Sequence, residues 1–310
     1  MTPPSGPPAT PPPGAYLGID VGGTKIAAGV VLLPEGRILA RRQVPTLPAR
    51  DGAEILDDVT RLASTLRDEA GAQGWRVSGI GIGLCELVDT RQVVLSHATL
   101  PWDAPSIGAR LQAIAPVSLE ADVRAAALAE GRFGAGCGYP YWLYVTVGTG
   151  ISSCLVMGGT PIPGARGIAG TFASSPLPTV DGRPAPTLEE CSSGPALVAR
   201  YRSLGGMATT GHDVMAAAGR GDAGAIEILR SAGRSLGASI GWLVNTLDPG
   251  AVVLGGGLGL EEGIYREHLV AAARAQIWSD IHRGVPILSA RLGKEAGIIG
   301  AAVRSWLSAA

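Results

Sequence analysis

The sequence carries no excess charge of one sign: 25 lysines and arginines face 26 acidic residues across 310 positions. That balance leaves no global field to attract nucleic acid or an anionic membrane surface. Cysteine is scarce as well. Cys85, Cys137, Cys154 and Cys191 stand far apart with no C-x-x-C pair, which excludes a zinc knuckle or a disulfide framework and implies a reducing cytoplasm. No apolar run is long enough to cross a bilayer, and the N-terminus has neither the charged start nor the apolar core of a secretory signal. His97, His212, His268 and His282 fall without ligand spacing, so they read as surface or structural residues rather than a metal site.

What is present is a globular composition, 46% hydrophobic and 16% charged, at a length that accommodates two domains. Residues 1–15, beginning MTPPSGPPATPPPG, form a Pro-rich tail expected to be extended and unpacked. The stretch AYLGIDVGGTKIAAGVVL reads as a β-hairpin whose glycine turn is flanked by Asp20, Thr24 and Lys25. GRILARRQVPT follows as a third strand. Between Asp51 and Gln73, apolar residues at Ile55, Val59, Leu62 and Leu66 mark a helix with Asp51 as its N-cap. VSGIGIGL is a buried strand running into Cys85-Glu86, and the next short strand delivers Glu120-Ala121-Asp122 onto an Ala-rich helix.

A second round then begins with YWLYVTVGTGISSCLVMGG, again strand, glycine turn, strand. Helices fill Leu188 to Leu247, AVVLGGGLGL is a strand breaking into glycines, and a small-faced helix ends the chain. The repetition suggests an internal duplication in an α/β protein. It divides the chain into an N-terminal α/β domain, 16–121, and a C-terminal α/β domain, 122–293, with a last helix, 294–310, packing back on the first. Trp102, in TLPWD, reads as plugging the core, and Trp142 and Trp242 sit among apolar neighbours and read as core too.

Three glycine turns stand at strand ends: DVGGTK, GTGIS and LGGGLG. A turn without side chains brings backbone N–H groups close to a phosphate. Each alone reads as a simple reversal; together they point to a nucleotide cleft between two domains. None matches the dinucleotide fingerprint or the Walker A loop.

The ordered segments LGIDVGGTKIAAGVV, LEADVRAAALAEGRFGAG, VTVGTGI, LEECSSGPAL, VVLGGGL and GKEAGIIGAA resemble those of the ROK family of bacterial sugar kinases and repressors, from Tyr16 to the C-terminus. The resemblance implies a two-domain actin/hexokinase-like (ribonuclease H-like) fold, ATP with Mg²⁺, and phosphoryl transfer to a sugar hydroxyl by a homodimer. It implies Asp122 as the catalytic base and Asp20 as the residue holding hydrated Mg²⁺. Gly22, Gly23, Thr24 and Lys25 would meet the transferred phosphate, Gly148, Thr149 and Gly150 the rest of the triphosphate, and Gly255, Gly256 and Gly257 the adenosine. Without these neighbours, Asp122 would read as a helix cap. Arg124 reads as ordering that helix start or touching phosphate. The repressor branch needs a DNA-binding helix that this sequence does not display.

The resemblance breaks at the sugar site. GARGIAGTFASSP carries Thr171 and Ser174 where the family has a Glu and a His, and Ala121 replaces an Asn, while Glu189 keeps the last sugar-binding Glu. Thr99 stands where an Asn is common, and Glu86 replaces part of a Pro-Gly pair. The zinc motif is missing from the proline-rich loop PLPTVDGRPAPT, so no structural zinc is expected. Glu86 reads equally as a solvated loop residue and as a new carboxylate at the pocket edge, where it would suit a substrate amine. With the base and phosphate turns kept but hydroxyl-reading groups thinned, the expected acceptor is an amino-hexose or a C7-cyclitol from a specialised biosynthetic pathway. The alternative is a non-catalytic sugar-binding sensor.

Overall fold

The computed structural model of the chain describes residues 11–47, 50–100, 102, 104–176 and 185–309, with residues 104–106 described by backbone alone. The chain forms two compact units. The first comprises the chain up to Phe133 together with Pro163–Ile168 and Glu295–Ala310, and the second Gly134–Ile162 with Ala169–Lys294. The division thus falls after Phe133 rather than at Asp122, because the helix begun by Asp122 packs on the C-terminal helix of the first unit.

The first unit contains β1 (Gly14–Val21), β2 (Lys25–Leu33), β3 (Arg37–Pro45), α1 (Gly52–Ala72), β4 (Val77–Leu84), α2 (Ala104–Leu111), β5 (Val117–Ala121) and α3 (Asp122–Phe133). Its sheet runs β3-β2-β1-β4-β5, antiparallel through the hairpins and parallel from β1 to β5. Strands β1 and β4 are nearly continuous apolar runs because both faces are covered. Helix α1 starts in a capping box between Asp51 and Glu54 and buries Ile55, Val59, Leu62 and Leu66, the expected stripe.

The second unit contains β6 (Tyr141–Val147), β7 (Ile151–Met157), β8 (Thr160–Pro161), α4 (Leu188–Ser192), α5 (Gly194–Ser203), α6 (Gly211–Gly219), α7 (Ala223–Leu247), β9 (Val252–Gly255), α8 (Ile264–Gln276), α9 (Asp280–Arg283) and β10 (Ile287–Ser289). Its strand order, β10-β9-β6-β7-β8, is the first sheet's order read from the other edge: two hairpins, then two parallel crossovers. The duplication suggested by the glycine turns is therefore a duplication of topology. Helix α7 presents Gly233, Gly237 and Gly241 to α8, where side chains would overlap α8 carbonyls. Trp142 is fully buried against Tyr144 and Trp102 is also buried, but Trp242 is 60% exposed. It lies off the face that α7 turns to the core, so its apolar neighbours in sequence mislead.

The chain returns to the first unit as α10 (Ala296–Leu307). This helix lies directly on backbone. A methyl group on Gly18 of β1 would overlap the Ile298 carbonyl, one on Gly81 of β4 the Ala301 carbonyl, and one on Gly300 the Ala125 carbonyl of α3. Among the described residues, no helix is long and apolar enough to cross a membrane.

Gly81→Ala is expected to cost about 3 kcal/mol, because two backbones must separate to admit the methyl. Gly71→Ala, on α1 with open space around it, should be neutral or stabilising by about 0.5 kcal/mol. Urea unfolding of the two variants checks this; equal midpoints would show that α10 is not docked on β4 backbone.

Candidate active site

Parallel strands β1, β4 and β5 end side by side, with Val21 paired to Leu84 and Leu84 to Ala121. In α/β sheets this carboxyl edge is where ligands bind. It collects Asp20 at the end of β1, Cys85 and Glu86 just past β4, and Asp122 as the first residue of α3. Desolvation pushes Asp122 up to about 7, with the negative charge of Asp20 adding to it. Desolvation also raises Asp20 to about 6, opposed by Lys25. A carboxylate that titrates near neutrality is suited to take a proton. Asp20 fits a divalent cation by its chemistry: it is a desolvated oxygen donor whose charge lacks full compensation from Lys25, and such a cation would supply it. Its carboxylate lies against Gly297, at the start of α10, where any side chain would displace it.

The turn Gly22–Lys25 is closed by the Gly22 N–H donating to the Lys25 carbonyl at 3.0 Å. Thr46, fully buried just past β3, braces it from behind. Its hydroxyl donates to the Gly22 carbonyl at 2.6 Å and its N–H to the Thr24 carbonyl at 3.1 Å. No signal along the chain marks Thr46; only the β2–β3 pairing, which sets Pro45 opposite Lys25, brings it to the turn.

Glu86 is neither solvated nor aimed at a ligand. It is 5% exposed, and its oxygens accept the N–H groups of Ala98 (3.0 Å), Thr99 (2.6 Å) and Leu100 (2.8 Å) and the Ser96 hydroxyl. Burial alone would raise its pKa, but these hydrogen bonds together hold it below the ordinary range. The expectation of a carboxylate offered to substrate is thus corrected, since both oxygens are already used. Thr99, in contrast, is exposed, and its methyl group comes within 2.6 Å of where a Cβ on Gly23 would stand. Arg124 is buried and bonds to none of the three glycine turns. It pairs with Glu120 and donates to the carbonyls of Val88 (2.7 Å) and Gly167 (2.8 Å), tying two loops to the start of α3.

The second unit carries the remaining turns. Gly148 N–H donates to the Gly150 carbonyl at 2.9 Å, and Glu189 Oε2 accepts the Ile151 N–H at 2.7 Å. Glu189 therefore braces the Gly148–Thr149–Gly150 turn with one of its oxygens. Gly256 adopts φ 80°, open to glycine, as the chain turns so that Leu258 and Gly259 both donate to the Val147 carbonyl. That bond set brings Gly255, Gly256 and Gly257 beside the β6 end. The starts of α5 and α6 meet there as well: Gly194 N–H donates to the Gly148 carbonyl at 2.8 Å, and Gly211 packs on Gly194. In the altered loop, Gly170 accepts from both the N–H and hydroxyl of Ser153. Thr171, half-buried, precedes a single turn at Phe172–Ser174, and Ser174 is exposed. Thr171, Ser174 and Glu189 belong to the second unit, whereas Asp122 belongs to the first. Of the proline-rich loop, residues 177–184 lie outside the described residues.

Comparison with known proteins places the chain in one lineage. The sequence profile of the ROK family matches residues 16–306. The bifunctional enzyme NanE/NanK of Brucella suis is 35% identical over 302 residues, which are 95% of this chain and 54% of that protein. The chain thus spans about half the length of that relative. The glucokinase of Streptomyces coelicolor is 30% identical over 316 residues, covering 93% of this chain and 96% of its own. Among solved structures, a ROK family glucokinase from Streptomyces griseus in complex with glucose and AMPPNP is similar at a TM-score of 0.80 and 31% identity, covering 94% of this chain and 99% of its own. The fold is the two-domain actin/hexokinase-like one.

The raised acid has a consequence for stability. Between its ordinary 3.8 and the folded value of about 7, Asp122 holds more proton folded than unfolded, so stability falls as pH rises through that window. Asp122→Asn removes this loss. The Tm advantage of the variant over the parent should grow between about pH 4 and about pH 7 and then level off. A difference that stays flat over this range in calorimetry would show that Asp122 ionises normally.

Proposed function

The chain belongs to the ROK family, and from that premise we propose that it is an ATP- and Mg²⁺-dependent kinase transferring a phosphoryl group to a hydroxyl of a sugar-like acceptor. The observation that carries the reading is Asp122 at the start of α3, poised near neutrality beside Asp20. The support is physical. Phosphoryl transfer asks a protein mainly for positioning and charge neutralisation. Asp122 takes the proton of the attacking hydroxyl, a task matched to a carboxylate titrating near the working pH. Gly22, Gly23, Thr24 and Lys25 cradle the transferred phosphate on a turn braced by Thr46. Gly148, Thr149 and Gly150 hold the remaining phosphates, on a turn braced by Glu189, and Gly255, Gly256 and Gly257 line the adenosine. Asp20 holds hydrated Mg²⁺, which supplies charge neutralisation when bound. Homodimerisation in the cytoplasm belongs to the same reading.

The substrate reading narrows. An amino-hexose was favoured through a free carboxylate at Glu86, and Glu86 is occupied by its own loop. What remains at the acceptor side of the first unit is Thr99, Ala121 and the base, which suits a neutral polyol. A C7-cyclitol or a hexose stripped of some of its hydroxyl contacts therefore comes ahead of an ammonium sugar, and Thr171 and Ser174 are kept as acceptor residues.

ADP release should be measured with Mg·ATP across glucose, N-acetylated hexosamines, amino-hexoses and C7-cyclitols. Turnover on a neutral acceptor is expected, with kcat falling by about a thousandfold in Asp122→Asn. Fastest turnover on an amino-hexose would reverse the neutral-acceptor reading. ATP and sugar binding with no ADP release on any acceptor would return the protein to the sensor class.

A further inference from the structure

Between β4 and α2 the chain makes an excursion that the kinase reading does not by itself explain. Val88 and Val94 form an antiparallel bridge, Asp89 N–H donates to the Val93 carbonyl, and Leu95 N–H donates to the Leu87 carbonyl. The excursion is a small hairpin that leaves β4 at Cys85 and comes back at Leu100. Its two ends are joined by one side chain, Glu86.

Three successive amides, those of Ala98, Thr99 and Leu100, converge on the Glu86 carboxylate. Consecutive N–H groups aimed at one point form a nest that elsewhere would receive an anion; here the protein fills it with its own. The Ser96 hydroxyl donates to the same carboxylate while accepting the Leu87 N–H at 2.9 Å. These partners are neutral donors. A buried carboxylate is costly unless its lone pairs are met by hydrogen bonds, so a shift of this loop leaves a charge stranded. The conformation of residues 96–100 is therefore set before any ligand arrives.

That loop presents Thr99. Its methyl group lies over Gly23 of the phosphate turn, and its side chain hydrogen-bonds to Cys85, which follows Leu84, the β4 residue paired with Ala121 just before Asp122. Thr99 thus stands between the turn that holds the transferred phosphate and the neighbourhood of the base. We propose that Glu86 is a positioning residue that locks the Thr99 loop against the phosphate turn and so determines which acceptors fit. The inference rests on the kinase reading for its substrate side, and on the hydrogen bonds alone for its structural side. A displacement of about 1 Å in such a loop is enough to cost a hundredfold in rate.

The test is Glu86→Gln, which keeps the volume but turns one acceptor into a donor facing N–H groups, with Ser96→Ala as a milder variant should the first fold poorly. With the acceptor that the parent turns over, kcat/KM for acceptor should fall about tenfold or more in Glu86→Gln and by less in Ser96→Ala, while KM for ATP stays within about twofold. Thr99→Ala should lower the same constant, and the Glu86→Gln/Thr99→Ala double variant should be no worse than Glu86→Gln alone. An unchanged acceptor constant, an equal rise in KM for ATP, or multiplicative losses in the double variant would overturn the proposal. Amide hydrogen exchange separates its failure from failure of the kinase reading. Residues 98–100 should exchange slowly in the parent and fast in Glu86→Gln, whether or not any acceptor is phosphorylated. Identical exchange in both would refute the locking role.

Discussion

Where α10 crosses β1 and β4, two backbones meet with no side chains between them. Gly18, Gly81 and Gly300 make that approach possible, since a single methyl at any of them would enter a carbonyl oxygen. The helix is thereby fixed to the centre of the first sheet, and Gly297 at its start lies against the Asp20 carboxylate. The same helix packs on α3, which begins at Asp122. One close contact between main chains therefore locates both carboxylates of the candidate site, although the helix contributes no reactive group of its own.

Holding those carboxylates works against folding. Each is removed from water, Asp122 also feels the negative charge of Asp20, and both respond by titrating well above the usual carboxylate range. Such stress is tolerated where it serves chemistry, because a base poised near neutrality and an oxygen donor short of positive charge are what the proposed phosphoryl transfer would require. The surrounding structure offsets the cost through apolar burial on both faces of β1 and β4.

The loop GARGIAGTFASSP, which carries Thr171 and Ser174, is tied down through its backbone at two points. Gly167 is tied to Arg124 and Gly170 to Ser153. On the other side of the acceptor question, Glu86 holds the Thr99 loop by the same device, a buried charge met by main-chain groups. Arg124 and Glu86 are thus structural charges set around Asp122, and both shape loops rather than contact phosphate.

Much of the site was legible in the residues themselves. Glycine turns at strand ends, an aspartate closing the first strand and another opening a helix are local features, and local features follow from sequence spacing alone. The repeated strand, glycine turn and strand were legible for the same reason, as was the capped stripe of α1, whereas the matching strand orders emerged only from the sheets themselves. Other properties depend on which groups meet across long separations. Glu86 finds its partners ten or more residues away, so its sequence neighbours could not reveal whether it faced ligand, solvent or its own backbone. Thr46 reaches the Gly22–Lys25 turn only through β2–β3 pairing. Trp242 is exposed because of the face it occupies on α7, and α3 joins the first unit because α10 returns to receive it. The sequence by itself determined which elements form and which reactive groups sit at their ends, since those depend on neighbours along the chain. Tertiary structure alone decided which way Glu86 and Arg124 point and what they hold, because a buried charge goes wherever folding supplies enough hydrogen-bond partners.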